Sequence, residues 1–220
     1  MLKKLVSLLP NPAQHALKRI RFGRQIRNGT FIPHNEPEIR VIGDTVHEGD
    51  WVIDVGANIG HYTCRLAECV GRSGRVIAFE PIPETFSLLA SNVLTHGRNN
   101  VTLLNAAASD KVSVAAMQLP KFSSGLANYY RAALAETGDY SVLCVPIDTL
   151  DLPRVALIKI DAEGHDLAVL SGASQLIERD RPVLIVECTP EDAVGAWMTS
   201  QGYALTRSPG SPNVVARHKG

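Results

Sequence analysis

Four short runs in this chain are apolar at nearly every position and carry an acid at or next to their last residue. They lie at residues 51–55 with Asp54, 75–80 with Glu80, 156–161 with Asp161, and 182–187 with Glu187. A fifth run, 101–105, ends in Asn105. A strand that alternates apolar and polar residues has one wet face, whereas these runs have none. Between them lie segments with apolar residues at helical spacing, so the pattern predicts a parallel sheet covered by helices on both faces. The predicted sheet is mostly parallel and seven-stranded.

The first predicted helix carries Tyr62, Leu66 and Val70 on one side and stops at Gly71. In the second, Phe86, Leu89, Ala90, Val93 and Leu94 form a single buried stripe that ends at Gly97. Residues 189–192, Thr-Pro-Glu-Asp, open a later helix with a capping hydroxyl, a proline in the first turn and acids at its positive end. Gly202 closes that helix. Runs at 203–207 and 213–217 then flank a turn at 208–212 and predict a C-terminal antiparallel hairpin. Residues 111–148 are the least regular and, with Met117, Tyr129 and Tyr130 among small polar residues, read as an insertion over the site; Ser123, Ser124, Gly125, Tyr129 and Tyr130 form either an acceptor lip or a mobile polar loop.

The chain has 220 residues, 45% hydrophobic, with 22 basic residues against 22 acidic. This composition excludes a disordered chain and a coat for nucleic acid, and no run reaches the ~20 apolar residues of a membrane span. The neutral total hides an asymmetry. Residues 1–30 hold seven basic groups and no acid, leaving 15 basic against 22 acidic in the rest. The reading is therefore a basic extension over residues 1–35 and one domain over 36–220. The extension packs on the domain or on a second copy in a homodimer, or touches anionic lipid as a peripheral membrane contact. Prolines at 10 and 12 break its apolar start, which argues against a secretory signal. Cys64, Cys69, Cys144 and Cys188 form no CxxC pair and sit in apolar stretches, as expected of a reduced cytoplasmic protein.

Ligands of open parallel sheets bind at the carboxyl ends of the strands, where the four acids converge. The turn after the first strand has Gly56 and Gly60 four apart behind Asp54, not the three glycines of a dinucleotide fold. An anion there repels a diphosphate and suits an ammonium or sulfonium. Glu80 follows the second strand, the place from which an acid accepts ribose hydroxyls. An adenosine with a cationic amino-acid tail and no phosphate is S-adenosylmethionine. Asn58 is either a partner for the tail carboxylate or a left-handed turn residue. Asn105 and Ala106, after the third strand, meet the adenine edge or simply end the strand.

These stretches resemble the FkbM-type class I methyltransferases. The likeness is carried by residues 49–60, by Ala78-Phe79-Glu80-Pro81, by Thr149-Leu150-Asp151 and, most distinctively, by Lys159-Ile160-Asp161-Ala162-Glu163-Gly164. It implies the Rossmann-like class I fold and O-methylation from S-adenosylmethionine of a hydroxyl on a sugar, glycolipid or secondary metabolite. Asp161, Glu163 and His165, just past the fourth strand, are the candidate catalytic groups. Asp54, Gly56, Asn58, Gly60, Glu80, Pro81, Asn105, Ala106 and Asp161 are the candidate cofactor contacts. The likeness gives His165 no role, and Gly164 suggests a turn that aims it outward. Lys159 is expected to pair with Asp54 or Glu187. Asp161 with Glu187 offers two oxygen ligands where magnesium needs about six, so no metal site is expected. Cys188 reads as a packed thiol. The competing readings are a silent methyltransferase-like binding module, a nicotinamide-dependent oxidoreductase, and a nucleic-acid methyltransferase that lacks its usual Pro-Pro tetrad.

Overall fold

The structure, a computed structural model, describes residues 11–28, 37–119, 133–135 and 137–220. Seven strands form the main sheet: β1 Trp51–Val55, β2 Arg75–Phe79, β3 Val101–Leu104, β8 Val155–Ile160, β9 Val183–Glu187, β10 Tyr203–Thr206 and β11 Asn213–His218. Their order is β3-β2-β1-β8-β9-β11-β10, and β11 runs antiparallel to both its neighbours. The expected mostly parallel sheet and C-terminal hairpin are both present.

Side chains alternate between two buried layers, as the period of a strand requires. Ile53, Val55, Ile77, Phe79, Ile158, Ile160, Leu184 and Val186 share a core with α5 (Asp166–Ser171), α6 (Ser174–Asp180) and Met198 of α7 (Ala193–Ser200). Val52, Val76, Leu157 and Ile185 face the other way, against α2 (Glu38–Thr45) and α3 (His61–Val70). Ala78 joins the part of that layer under α4 (Pro83–Thr95), with Leu89 and Val93. Neither face is wet, which is why these strands read as continuous apolar runs.

Three local expectations are corrected. The buried side of α4 is Thr85, Leu88, Leu89, Asn92 and Val93, while Leu94 is 75% exposed. Asn92 takes a core place because its amide donates to the Ile59 carbonyl at 2.8 Å. The cap of α7 is Asp192, which accepts from the Val194 and Gly195 amides, so residues 189–191 lie before the helix. Finally, the described part of residues 111–148 is not irregular. Strands β4 (Ala107–Ala108), β5 (Ser113–Gln118), β6 (Ala133–Ala135) and β7 (Tyr140–Val145) form a second sheet, β4-β7-β5-β6. Its core of Met117, Val142 and Cys144 packs on Ile82, just before α4. Residues 123–125, 129 and 130 lie outside the described residues.

The sequence also gives no sign of α2. Its Glu38 is buried, with one carboxylate oxygen facing the Asn213 amide of β11 at 3.4 Å. The basic helix α1 (Asn11–Arg27) lies along α4: Gly23 approaches Asn92, and Ile26 packs with Ala57, Cys64, Leu89 and Val93. Among the described residues, no helix is long and apolar enough to cross a membrane.

The two sheets meet where Gly172, ending α5, lies against the backbone beside β4. A Cβ on Gly172 would fall 1.9 Å from the Ser109 carbonyl oxygen, which cannot turn away. Gly172→Ala should therefore lower the stability read from urea unfolding by ~1–3 kcal/mol. Gly43→Ala, on an exposed turn of α2 with its nearest atom at 3.7 Å, should be neutral or slightly stabilising. Equal midpoints for the two variants would contradict this account of the junction.

Candidate active site

A cavity of about 270 Å³ opens at the carboxyl ends of β1, β2, β8 and β9. One of its walls is apolar: Ile82, Ala106, Ala107 and Ala108, with Met117 and Leu134 from the second sheet. The opposite wall is acidic, formed by Asp161, Glu163 and Glu187. Gly56, Asn58, Glu80, Pro81 and His165 also line it.

The turn after β1 has a requirement that glycine alone meets. Gly56 has φ 72°, and a Cβ there would lie 2.0 Å from the carbonyl oxygen of Asp161. The ends of β1 and β8 are thus pressed backbone to backbone, and the chain passes the cavity as a bare cradle. Asn58 sits in the left-handed region at φ 50°, so its turn reading holds, and it faces the cavity as well. Its amide donates to Glu80 Oε2 at 2.9 Å, while the Ile82 amide donates to Oε1 at 3.0 Å. Glu80 is 5% exposed, and burial pushes its carboxyl up to about 7 in spite of those two bonds. Gly60, also left-handed, caps α3 under Leu89 and does not line the cavity.

Asp54 lies beneath the cavity rather than in it. It is fully buried, accepts from the Thr63 hydroxyl at 2.5 Å, and leaves Oδ1 without a partner. Burial raises its pKa, and the nearby Lys159 ammonium opposes that rise. Lys159 is paired with Asp161 at 2.9 Å, not with Asp54 or Glu187 as the sequence suggests. Asp161, one residue past the end of β8, lies on the same side of the chain as Lys159, so its carboxylate reaches the ammonium. The Tyr62 ring lies 5.0 Å from the same ammonium.

Asn105 also departs from expectation. It is exposed, and its amide donates to the carbonyls of Glu80 and Pro81 at 2.9 and 3.0 Å, clamping the loop after β2 outside the cavity. Ala106 does reach the cavity wall.

Past β8, Asp166 holds the next turn by accepting from the amides of Ala162 and Gly164 at 2.9 and 3.1 Å. That turn places Glu163 at φ 49° and exposed at the cavity rim. His165 is not aimed outward. It stands at the start of α5, lines the cavity, and its Nε2 lies 2.9 Å from the Ser109 hydroxyl.

Glu187 belongs with these residues, although sequence reasoning left it outside the catalytic set. Its side chain is exposed at the end of β9, and partial loss of solvent at the cavity mouth, followed by the charges of Asp161 and Glu163, pushes its carboxyl up to about 7. Its position as a strand-end acid was the available signal. Met117 and Leu134 belong to the 111–148 segment that the sequence places over the site, and both line the cavity, whereas nothing in the sequence signals Ser109. Cys188 is a packed thiol with its pKa raised to about 12 by burial.

The cradle at Gly56, the unpartnered Asp54 oxygen and the buried carboxylate of Glu80 fit an adenosyl ligand with a cationic tail. The profile of the methyltransferase FkbM domain matches residues 54–205. The hexuronic acid methyltransferase AglP of Haloferax volcanii is 26% identical over 151 residues, covering 67% of this chain and 59% of that protein. A protein-L-isoaspartate O-methyltransferase of Methanococcoides burtonii is 25% identical over 129 residues, 54% of this chain and 59% of that one. The chain thus spans about 59% of the length of these two curated relatives. Among solved structures, the methyltransferase FkbM of Methylobacillus flagellatus aligns with a TM-score of 0.57 at 16% identity, over 82% of this chain and 50% of that one. A methyltransferase from Geobacter sulfurreducens aligns with a TM-score of 0.52 at 12% identity, over 98% of this chain and 93% of that one. These two likenesses show the fold, and the profile shows the family: the chain belongs to the FkbM methyltransferases.

Proposed function

We propose that the chain methylates a hydroxyl of a sugar, in a free glycan, a glycolipid or a glycosylated secondary metabolite. The observation that carries this reading is the division of the cavity into an apolar wall beside Glu80 and an acidic wall beside Glu187. S-adenosylmethionine supplies an electrophilic methyl on a sulfonium, a good leaving group. Glu80 receives the ribose hydroxyls, the alanines and Ile82 cover the adenine, and the Gly56 turn meets the tail, with Asp54 buried beneath that turn.

An alcohol attacks poorly while protonated, so the acidic wall takes up its proton. Lys159 engages Asp161, which leaves Glu187 to act as the base, with a carboxyl near neutrality that both accepts and releases a proton there. Asp161 and Glu163 orient the acceptor hydroxyls. His165, held by Ser109, closes the side of the cavity towards α5. The sugar acceptor is also the chemistry printed in the name of the Haloferax relative, a hexuronic acid methyltransferase.

Two predictions test the roles of the two carboxyls. Ionised Glu80 is the form that accepts ribose hydroxyls, and its pKa is about 7 in the free protein. Affinity for S-adenosylhomocysteine should therefore be full above that value and fall as the pH drops through it, by about tenfold between pH 8 and 6. Calorimetry would read this, and Glu80→Gln should bind weakly with no such slope; a flat profile for the unaltered chain would remove Glu80 from the ribose. Glu187→Gln should keep the affinity for S-adenosylhomocysteine but slow labelled methyl transfer to a glycan panel by ~100- to 10,000-fold. The product should resist alkali, as an ether does. An alkali-labile methyl would mean that a carboxylate, not a hydroxyl, is the acceptor.

A further inference from the structure

Helix α1 turns one side to α4 and the other to solvent, and the two sides differ in kind. Gly23 and Ile26 make the inner contact, against Asn92 and the Leu89–Val93 cluster. The outer side carries Leu17, Ile20, Arg21, Arg24 and Arg27, with spacings of three and four that place them on one side of a helix. Leu17 is 46% exposed and Ile20 61%. All three arginines are exposed, and α1 holds no acid. Single exposed aliphatics occur elsewhere on the surface, such as Leu94, but on α1 two of them share one face with three arginines and no acid. Aliphatics flanked by arginines on one face match the boundary of an anionic bilayer, where acyl chains take the first and headgroup phosphates the second.

We infer that the outer face of α1, Leu17 and Ile20 with Arg21, Arg24 and Arg27, docks this protein on an anionic membrane surface. The face is tied to the active site. Glu84, in the first turn of α4, exerts its charge on Lys18 of α1 and accepts from the Tyr140 hydroxyl of β7 at 2.7 Å. The second sheet supplies the apolar wall of the cavity, so α1, α4 and that wall form one connected side of the molecule. A membrane held by α1 lies beside the cavity rather than across the sheet from it. This inference does not depend on the acceptor or on the base.

The test is sedimentation of the full chain with vesicles of phosphatidylcholine alone and of phosphatidylcholine mixed with phosphatidylglycerol. Binding is expected to the mixed vesicles and to fade as salt is raised. Arg21→Gln with Arg24→Gln and Arg27→Gln should reduce it on the order of 100-fold. Leu17→Glu with Ile20→Glu should abolish it. Both variants should keep the S-adenosylhomocysteine affinity and the circular dichroism of the unaltered chain, which report that the site and the helices are retained. Absence of binding, equal binding to neutral vesicles, or binding unmoved by either set of substitutions would overturn the inference. A chain that ignores vesicles but falls from dimer to monomer on Leu17→Glu with Ile20→Glu would assign the face to a second copy instead.

Discussion

The pairing of β1 with β8 fixes nearly everything at the active end of this molecule. Its register sets Asp54 opposite Lys159 and brings the next turn, at Gly56, against the carbonyl of Asp161. Both strands are covered on both faces, so the two charged side chains have no route to water and need partners nearby. Thr63, Asp161 and the Tyr62 ring are those partners. A one-residue slip would turn every apolar side chain to the wrong layer and separate the charges, at a cost far above the few kcal/mol by which such domains are stable. The site therefore inherits its geometry from the most constrained pairing in the fold.

That inheritance explains which parts of the structure can be read from the sequence. Strands buried on both faces announce themselves, and their last residues mark the ligand edge, so Glu80, Asp161 and Glu187 can be placed before any coordinates. Asp54 is legible as an important acid but not as one sealed below the cavity, because that depends on Thr63 arriving from α3. Asn105 is legible as a strand end, yet its work is to hold the backbone of Glu80 and Pro81. The second sheet is the least legible. Its strands are short, one is two residues long, and their small or mixed side chains carry no period that distinguishes them from loop. The pairing of Lys159 with Asp161 is missed because a local i, i+2 partner competes with cross-strand partners that seemed equally near.

The cavity divides its work along its length. At one end a carboxylate is held by two backbone amides in a dry place, where burial outweighs the two bonds and makes ionisation costly. At the other end, three carboxylates crowd together and raise the affinity of Glu187 for a proton. Burial dominates at the first end. Mutual repulsion adds to burial at the second. The same residue type is thereby set to two tasks by its surroundings.

The second sheet is fastened to the core through β4, whose two residues pair with the end of β7, and through the seat of Gly172 on Ser109. Everything between those fastenings belongs to one excursion of the chain that starts and finishes at neighbouring points. Lengthening such an excursion costs little chain entropy, since its ends stay clasped whatever lies between them. Evolution can rebuild what lies between the fastenings without disturbing the turn, the cradle or the carboxylates beside them. A short clasp of this kind separates what a methyltransferase must keep from what it is free to exchange when the molecule to be methylated changes.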